Sequence, residues 1–145
     1  MTAREKLLEC GISPSVQRLA VLDYLLNHRT HPTADEIYLA LCDDIPTLSK
    51  TTVYNTLKLF VDNGVALMLT INERNVHFDG DVSLHAHFYC KRCSRLYDMP
   101  YSGKYPSKSR MQTIEGHTVE EVHQYYKGIC RCCLQQDKKK NEIKQ

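Results

Sequence analysis

This sequence predicts an α+β chain in two parts, and three observations carry that expectation. Apolar residues recur at helical spacing as far as Gly64. Short extended segments bounded by turn residues take over from there. Two Cys-x-x-Cys pairs, Cys90/Cys93 and Cys130/Cys133, bracket the second part. At 145 residues, 42% hydrophobic and 25% charged, the chain suffices for one domain, or for two small ones that lean on each other or on a partner. No apolar run approaches the roughly 20 residues that span a bilayer, and the N-terminus lacks a signal-peptide core; a cytoplasmic protein without a membrane partner is expected. Seven cysteines, an odd number with pairs at metal-knuckle spacing, argue for thiolate ligands in a reducing compartment rather than a disulfide framework. The net charge of +2 leaves nucleic-acid binding to be decided by local pattern.

Taken in order, the first third reads as helices. Ala3 to Cys10 carries Leu7 and Leu8 on a short apolar face and stops at Gly11, a residue suited to a left-handed cap. A second helix starts near Ser15, with Val16, Leu19, Ala20, Leu22 and Leu26 as its buried stripe, and fades over Asn27 to Thr30 before His31-Pro32 breaks the chain. Thr33 and Glu36 have the spacing of a capping box, which opens a third helix carrying Ile37, Leu39 and Leu41. Pro46 ends that region and Ser49 caps a fourth helix, whose apolar face is Val53, Leu57, Phe60 and Val61 and whose end is Asn63-Gly64. Ala66 to Ile71 and Val76 to Asp79 read as two strands around the turn residues Asn72 to Asn75. Further on, Ala86 to Tyr89 and Leu96 to Met99 read as strands joined by the first cysteine knuckle, Lys108 to Glu115 as a short helix, and Thr118 to Tyr126 as a third, edge-pairing strand. The segment from Gln135, with Lys138 to Lys140, lacks apolar periodicity and is expected to be a flexible basic tail.

The chemistry sits in three groups of residues. Cys90, Cys93, Cys130 and Cys133 are the donor set of a closed tetrahedral zinc site, because a tight turn points both sulfurs of each pair at one centre. Cys132 lies beside Cys133 and could take its place as the fourth ligand; Cys10 and Cys42 fall on helices and read as core. His85 and His87, two apart on an extended segment, face one side and are left over for a second, exchangeable metal. On the fourth helix Lys50, Thr51, Tyr54, Asn55 and Lys58 form a second face. It has lysines and hydroxyls for phosphates, an amide for base edges and a ring for thymine methyls, although a solvated face has the same residue types. Helices followed by a hairpin are in the order of a winged helix-turn-helix, which places a helix in the major groove.

With those residues in view, the chain resembles the ferric uptake regulator family of metal-dependent bacterial repressors. The motifs that carry the resemblance are Gln17-Arg18, His31 to Tyr38, Thr52 to Leu57, His85-x-His87-x-x-Cys90-x-x-Cys93 and Cys130-x-x-Cys133, in that order. The resemblance implies an N-terminal winged helix that binds DNA (residues 1–80), a small C-terminal α/β domain that dimerises (residues 84–134) and a tail (135–145). It implies a regulatory site of His31, Asp79, His85, His87 and Asp98, a nitrogen and oxygen shell that suits Mn(II) or Fe(II). Aspartate at position 98 resembles the peroxide-sensing branch, where the iron-responsive branch usually has glutamate; in that branch His31 and His85 would be the oxidised ligands. Leu84 departs from many relatives, which have a polar or acidic residue there. His77, His117 and His123 could form some other site, but read more readily as surface or strand histidines. The expected partners are an inverted-repeat operator in double-stranded DNA and a second copy of the chain.

Rival readings make different demands. A zinc hydrolase needs an open zinc position and a general base, yet a four-cysteine site is closed and no His-Glu-x-x-His helix occurs, so no enzyme is expected. A zinc-stapled interaction module explains the cysteines and leaves the winged-helix order unexplained. An iron-uptake or zinc-uptake repressor is the alternative within the family.

Overall fold

The computed structural model describes residues 1–103 and 112–143. The chain divides into two compact units, Met1–Val82 and Ser83–Gln145.

The first unit contains α1 (Ala3–Glu9), α2 (Val16–Asn27), α3 (Ala34–Leu41), α4 (Lys50–Asp62), β1 (Leu67–Leu69) and β2 (His77–Asp79). Each helix starts on a side-chain oxygen that accepts an otherwise unpaired backbone N–H: Thr2 for α1, Ser15 for α2, Thr33 for α3 and Ser49 for α4. Thr33 and Glu36 close the capping box in both directions, as Thr2 and Glu5 do. Gly11 and Gly64, both at φ 75°, turn the chain out of α1 and α4 through a region where a side chain would be strained. β1 and β2 pair antiparallel, with Leu67 opposite Asp79 and Leu69 opposite His77, and form the wing. Leu7, Val21, Leu22, Leu25, Ile37, Val53, Leu57, Phe60, Val65 and Phe78 fill the core between helices and wing.

Three residues expected on buried faces lie outside the core. Leu8, Val16 and Leu39 are exposed. Leu39 is two residues from Ile37, which on a helix is roughly the opposite side. Val16 likewise stands about half a turn from Leu25, and the α2 stripe is carried by Val21, Leu22 and Leu25. Among the described residues, Phe60 is the largest side chain with no exposure at all. Phe60→Ala is expected to cost this unit about 3–5 kcal/mol, read as a lower denaturation midpoint; a loss below about 1 kcal/mol would mean the surrounding helices collapse into the space.

The second unit contains β3 (Ala86–Cys90), β4 (Leu96–Met99), β5 (Gln112–Ile114), β6 (His117–Val119), β7 (Tyr125–Gly128) and α5 (Arg131–Ile143). β3 is the middle strand of a sheet in the order β4-β3-β7, antiparallel to β4 across the cysteine knuckle and parallel to β7. β5 and β6 form a separate hairpin whose two-residue loop, Glu115-Gly116, has φ of 50° and 81°. Two positive φ values in a two-residue loop make a type I′ turn, which matches the twist of paired strands. The short helix expected over Lys108 to Glu115 is therefore corrected where it is described: 112–114 is strand and Glu115 is turn, while 108–111 lies outside the described residues. The single strand expected from Thr118 to Tyr126 is two strands, β6 and β7, that belong to different sheets.

The basic tail is also corrected, since α5 continues helical to Ile143. Its apolar residues after Cys133, Leu134 and Ile143, are exposed, so no buried stripe announces it. Its Gln, Lys and Glu residues have high intrinsic helix propensity, its first turn is tied to the second knuckle by Leu134 N–H donating to Cys130 O, and Arg92 pairs with Asp137.

Candidate metal centres and nucleic-acid interface

The buried centre of the second unit is its cysteine cluster. Cys90, Cys130 and Cys133 are buried, and Phe88, Tyr97 and Ile129 pack against them. Cys90 ends β3, Cys93 closes the knuckle before β4, Cys130 follows β7 and Cys133 lies in the first turn of α5. Cys90 Sγ is 3.9 Å from Cys133 Sγ, and Cys93 Sγ is 3.7 Å from Cys130 Sγ. Four sulfurs about 2.3 Å from a tetrahedral zinc ion stand roughly 3.8 Å from one another, so these separations match a zinc shell; a disulfide requires about 2.05 Å. All four ligand atoms lie within 4.8 Å of each other. Backbone N–H groups of Cys93 and Cys130 donate to Cys90 Sγ at 3.4 and 3.3 Å, fixing that sulfur's direction. Burial pushes the Cys133 thiol up to about 12. Without a cation it keeps its proton, which zinc would displace. The donor set therefore fits structural zinc, and it contains Cys133; Cys132 is exposed and Cys10 and Cys42 are half-buried.

The histidines and carboxylates form one group in each unit. In the second, His85 precedes β3, and His87 lies opposite Asp98 in the β3–β4 register. Paired residues on antiparallel strands share a face, as do residues two apart on one strand, so register alone gathers all three. His85 Nε2 is 3.1 Å and His87 Nε2 3.5 Å from the same oxygen, Asp98 Oδ1. The His85 ring is oriented by a 2.7 Å hydrogen bond between Nδ1 and Ser83 O. Since only a protonated Nδ1 can donate to that carbonyl, the Nε2 lone pair faces a carboxylate lone pair. Such an arrangement calls for a shared cation, a proton or a metal ion. Two imidazoles and one carboxylate suit a first-row divalent ion with positions left for further ligands.

In the first unit, buried His31 directs Nε2 at Asp79 Oδ2, 3.4 Å away. His31 adopts φ 54°, a left-handed backbone that costs a residue with a side chain about 1–3 kcal/mol. The surroundings hold it there. His77 Nδ1 is 2.6 Å from His31 O, and Phe78 N–H donates to Pro32 O at 2.9 Å. Asp79 is oriented in turn, because its Oδ1 accepts the Asp81 N–H at 2.9 Å. The sequence reads His77 as a surface or strand histidine and gives it no place beside His31. Its place two residues before Asp79 was the available signal, since that spacing puts both on one face of β2.

Of the histidines read as surface or strand residues, His117 and His123 are exposed, and His123 Nε2 pairs with Glu121 at 3.1 Å. On α4, the face opposite Val53, Leu57 and Phe60 exposes Lys50, Thr51, Tyr54, Asn55 and Lys58 together. Lys58 Nζ lies 5.9 Å from the Tyr54 ring, and Lys50 leans toward α3, 5.8 Å from the Tyr38 ring and 3.9 Å from Asp35. No helix among the described residues is long and apolar enough to cross a membrane.

Residues 9–127 match the model of the ferric uptake regulator family. The chain is 35% identical over 136 residues to the peroxide-responsive repressor PerR of Staphylococcus aureus strain Mu50, covering 91% of this chain and 88% of that protein. Among solved structures it is similar to the ferric uptake regulator from Pseudomonas aeruginosa with manganese, with a TM-score of 0.67 and 18% identity over 90% of this chain and 99% of that one, a likeness of fold. It is also similar to PerR from Streptococcus pyogenes, a protein described for peroxide sensing and gene regulation, with a TM-score of 0.51 and 28% identity over 92% and 94% of the two chains.

Proposed function

The chain belongs to the ferric uptake regulator family, and we propose that it is a metal-dependent transcriptional repressor that binds operator DNA as a homodimer and is released by peroxide. The observation that carries the reading is the pair of nitrogen and oxygen donor groups, His31 with Asp79 and His85 with His87 and Asp98, which share no residue with the cysteine cluster. A zinc staple needs neither group. Likeness to a peroxide-responsive repressor over 91% of the chain supports the branch, as does aspartate at 98.

The two groups belong to different units, so a metal ion that these residues bind would act on the DNA-binding unit and on the dimerising unit alike. That is a coupling between metal affinity and DNA affinity, reciprocal by thermodynamic necessity. Mn(II) or Fe(II) is the ion such donors suit, and when bound it supplies positive charge that replaces the protons otherwise needed between imidazole and carboxylate. The chain's residues do the rest. His31 and Asp79 are the residues of the first unit that would hold such an ion, His85, His87 and Asp98 those of the second, and α4 would present Tyr54, Asn55 and Lys58 to the groove with Lys50 and Thr51 toward the phosphates.

The test is fluorescence anisotropy on a family-type inverted repeat. Binding should need Mn(II) and vanish on chelation mild enough to leave zinc in place. Lys58→Ala should weaken binding to all sequences and lower the salt slope by about one, as loss of a phosphate contact does. Tyr54→Ala should relax base discrimination by roughly 1–3 kcal/mol and leave the metal content unchanged. Equal binding by both variants and the parent chain would place the DNA on another surface.

A further inference from the structure

The wing histidine His77 uses both of its ring nitrogens. Nδ1 lies 2.6 Å from the His31 carbonyl oxygen and Nε2 lies 3.2 Å from Asn72 Nδ2. A carbonyl can only accept and an amide nitrogen can only donate, so the ring must have its hydrogen on Nδ1 and its lone pair on Nε2. Asn72 is fixed in turn, because its Oδ1 accepts the Arg74 N–H at 3.0 Å. A continuous chain of hydrogen bonds thus runs from the turn of the wing, through His77, to the backbone of His31.

That backbone is where constraint is needed. His31 stands at φ 54°, and left to itself a histidine would relax to negative φ and swing its imidazole away from Asp79. Two bonds from β2 oppose this, one from the His77 ring to His31 O and one from Phe78 N–H to Pro32 O at 2.9 Å. Since His77 and Asp79 alternate onto the same face of β2, one strand both supplies the carboxylate and clamps the turn that aims the imidazole at it. We propose that His77 is a positioning residue for the regulatory metal, setting the affinity of the His31–Asp79 pair by holding His31 in its left-handed turn. The inference rests on the reading of that pair as metal ligands. Its mechanical half does not, because the clamp consists of bonds among residues of the first unit alone.

The experiment compares the full-length, zinc-loaded protein with His77→Ala, His77→Asn, His77→Gln and Asp79→Asn. Mn(II) affinity is followed by electron paramagnetic resonance, and hydrogen exchange of the Phe78 amide by NMR on samples without Mn(II). His77→Ala should weaken Mn(II) binding roughly 10- to 100-fold, the usual effect of removing a group that orients a ligand, with zinc content unchanged. Its Phe78 amide should exchange at least about tenfold faster as the turn is released. His77→Asn places an amide N–H near the position of Nδ1 and should recover most of both effects; His77→Gln places it near Nε2 and should not. A general loss of packing would not separate asparagine from glutamine. If Phe78 exchange is unchanged in His77→Ala, or if asparagine and glutamine behave alike, the positioning role is wrong. If Asp79→Asn binds Mn(II) as the parent does, the ligand assignment fails and the proposal with it, even where the Phe78 result still reports a clamp.

Discussion

Cys93→Ser is expected to release the zinc and, with it, the fold of the second unit. The argument is one of size. Among the described residues, the buried cluster of that unit consists of Cys90, Cys130 and Cys133, with Phe88, Tyr97 and Ile129 packed against them. A three-stranded sheet and a hairpin with so few apolar neighbours do not bury enough surface to offset the entropy of ordering the chain. Zinc supplies the deficit: apparent binding free energies in small cysteine-rich domains are about 10–16 kcal/mol at neutral pH, and that energy is folding energy. Cys93 is the most exposed of the four ligands, so serine there disturbs packing least and isolates the loss of the ligand. Metal analysis should find no zinc, sedimentation should find monomers, and operator binding should be lost. Circular dichroism should retain much of the helix, because the first unit has its own core from Leu7 to Phe78. Cys132→Ser, whose thiol stands outside the cluster, should keep zinc and the dimer. A zinc-free Cys93→Ser protein that remains folded and dimeric would sink the structural role.

What could be read ahead of the structure follows from how far each signal reaches along the chain. Caps are local, and Thr33 with Glu36, Ser15 and Ser49 stand where their spacing put them. The cysteine pairs were legible because each lies within one turn, and the choice between Cys132 and Cys133 was open because adjacent residues cannot be separated by spacing. Burial was legible only where tertiary packing followed the longest apolar stripe, as on α4; Val16 and Leu39 mark where it did not. The hairpin at Glu115-Gly116 was missed because a type I′ turn with glutamate first lacks the usual Asn-Gly signature. β7 was merged with β6 because its pairing is parallel to β3, a partner some 38 positions earlier that alternation cannot name. Similarly, α5 follows from propensity and from an anchor at Cys130, neither of which an apolar period reports. In the donor groups, His85, His87 and Asp98 come together through the β3–β4 register, which two histidines before a knuckle nearly imply. The His31–Asp79 pair was reached through resemblance alone, since it depends on a left-handed turn held by β2.

Peroxide is expected to release the iron-loaded protein from DNA and to leave the manganese-loaded protein bound. The reasoning starts from ligand type. The thiolates of Cys90, Cys93, Cys130 and Cys133, once on zinc, have little free nucleophilicity toward peroxide. The nitrogen and oxygen shell has none to lose, but ferrous iron held by those residues would supply redox chemistry toward peroxide, the net change being one peroxide oxygen added to a ligand ring with water as the other product. Manganese does not readily cycle in this way. The ligand imidazoles are the oxidisable groups offered to such an ion, and resemblance to the peroxide-sensing branch makes His31 and His85, whose Nε2 atoms face Asp79 and Asp98 at 3.4 and 3.1 Å, the expected targets. An oxygen atom added to either ring would remove or redirect the lone pair offered to the metal, and affinity for the ion would fall. Because coupling is reciprocal, DNA affinity falls by the factor that metal binding had raised it. After a brief peroxide pulse, mass spectrometry should find a gain of one oxygen on peptides containing His31 or His85 in the iron-loaded sample only, with operator binding lost in step. His85→Ala should abolish repression at the start, since a shell without that imidazole holds the ion weakly. The competing chemistry is a thiol switch, and Cys132 is its obvious seat, being exposed and outside the zinc cluster. If iron- and manganese-loaded proteins release DNA equally, and the added oxygen is found on Cys130, Cys132 or Cys133 alone, the histidine route is excluded for this chain.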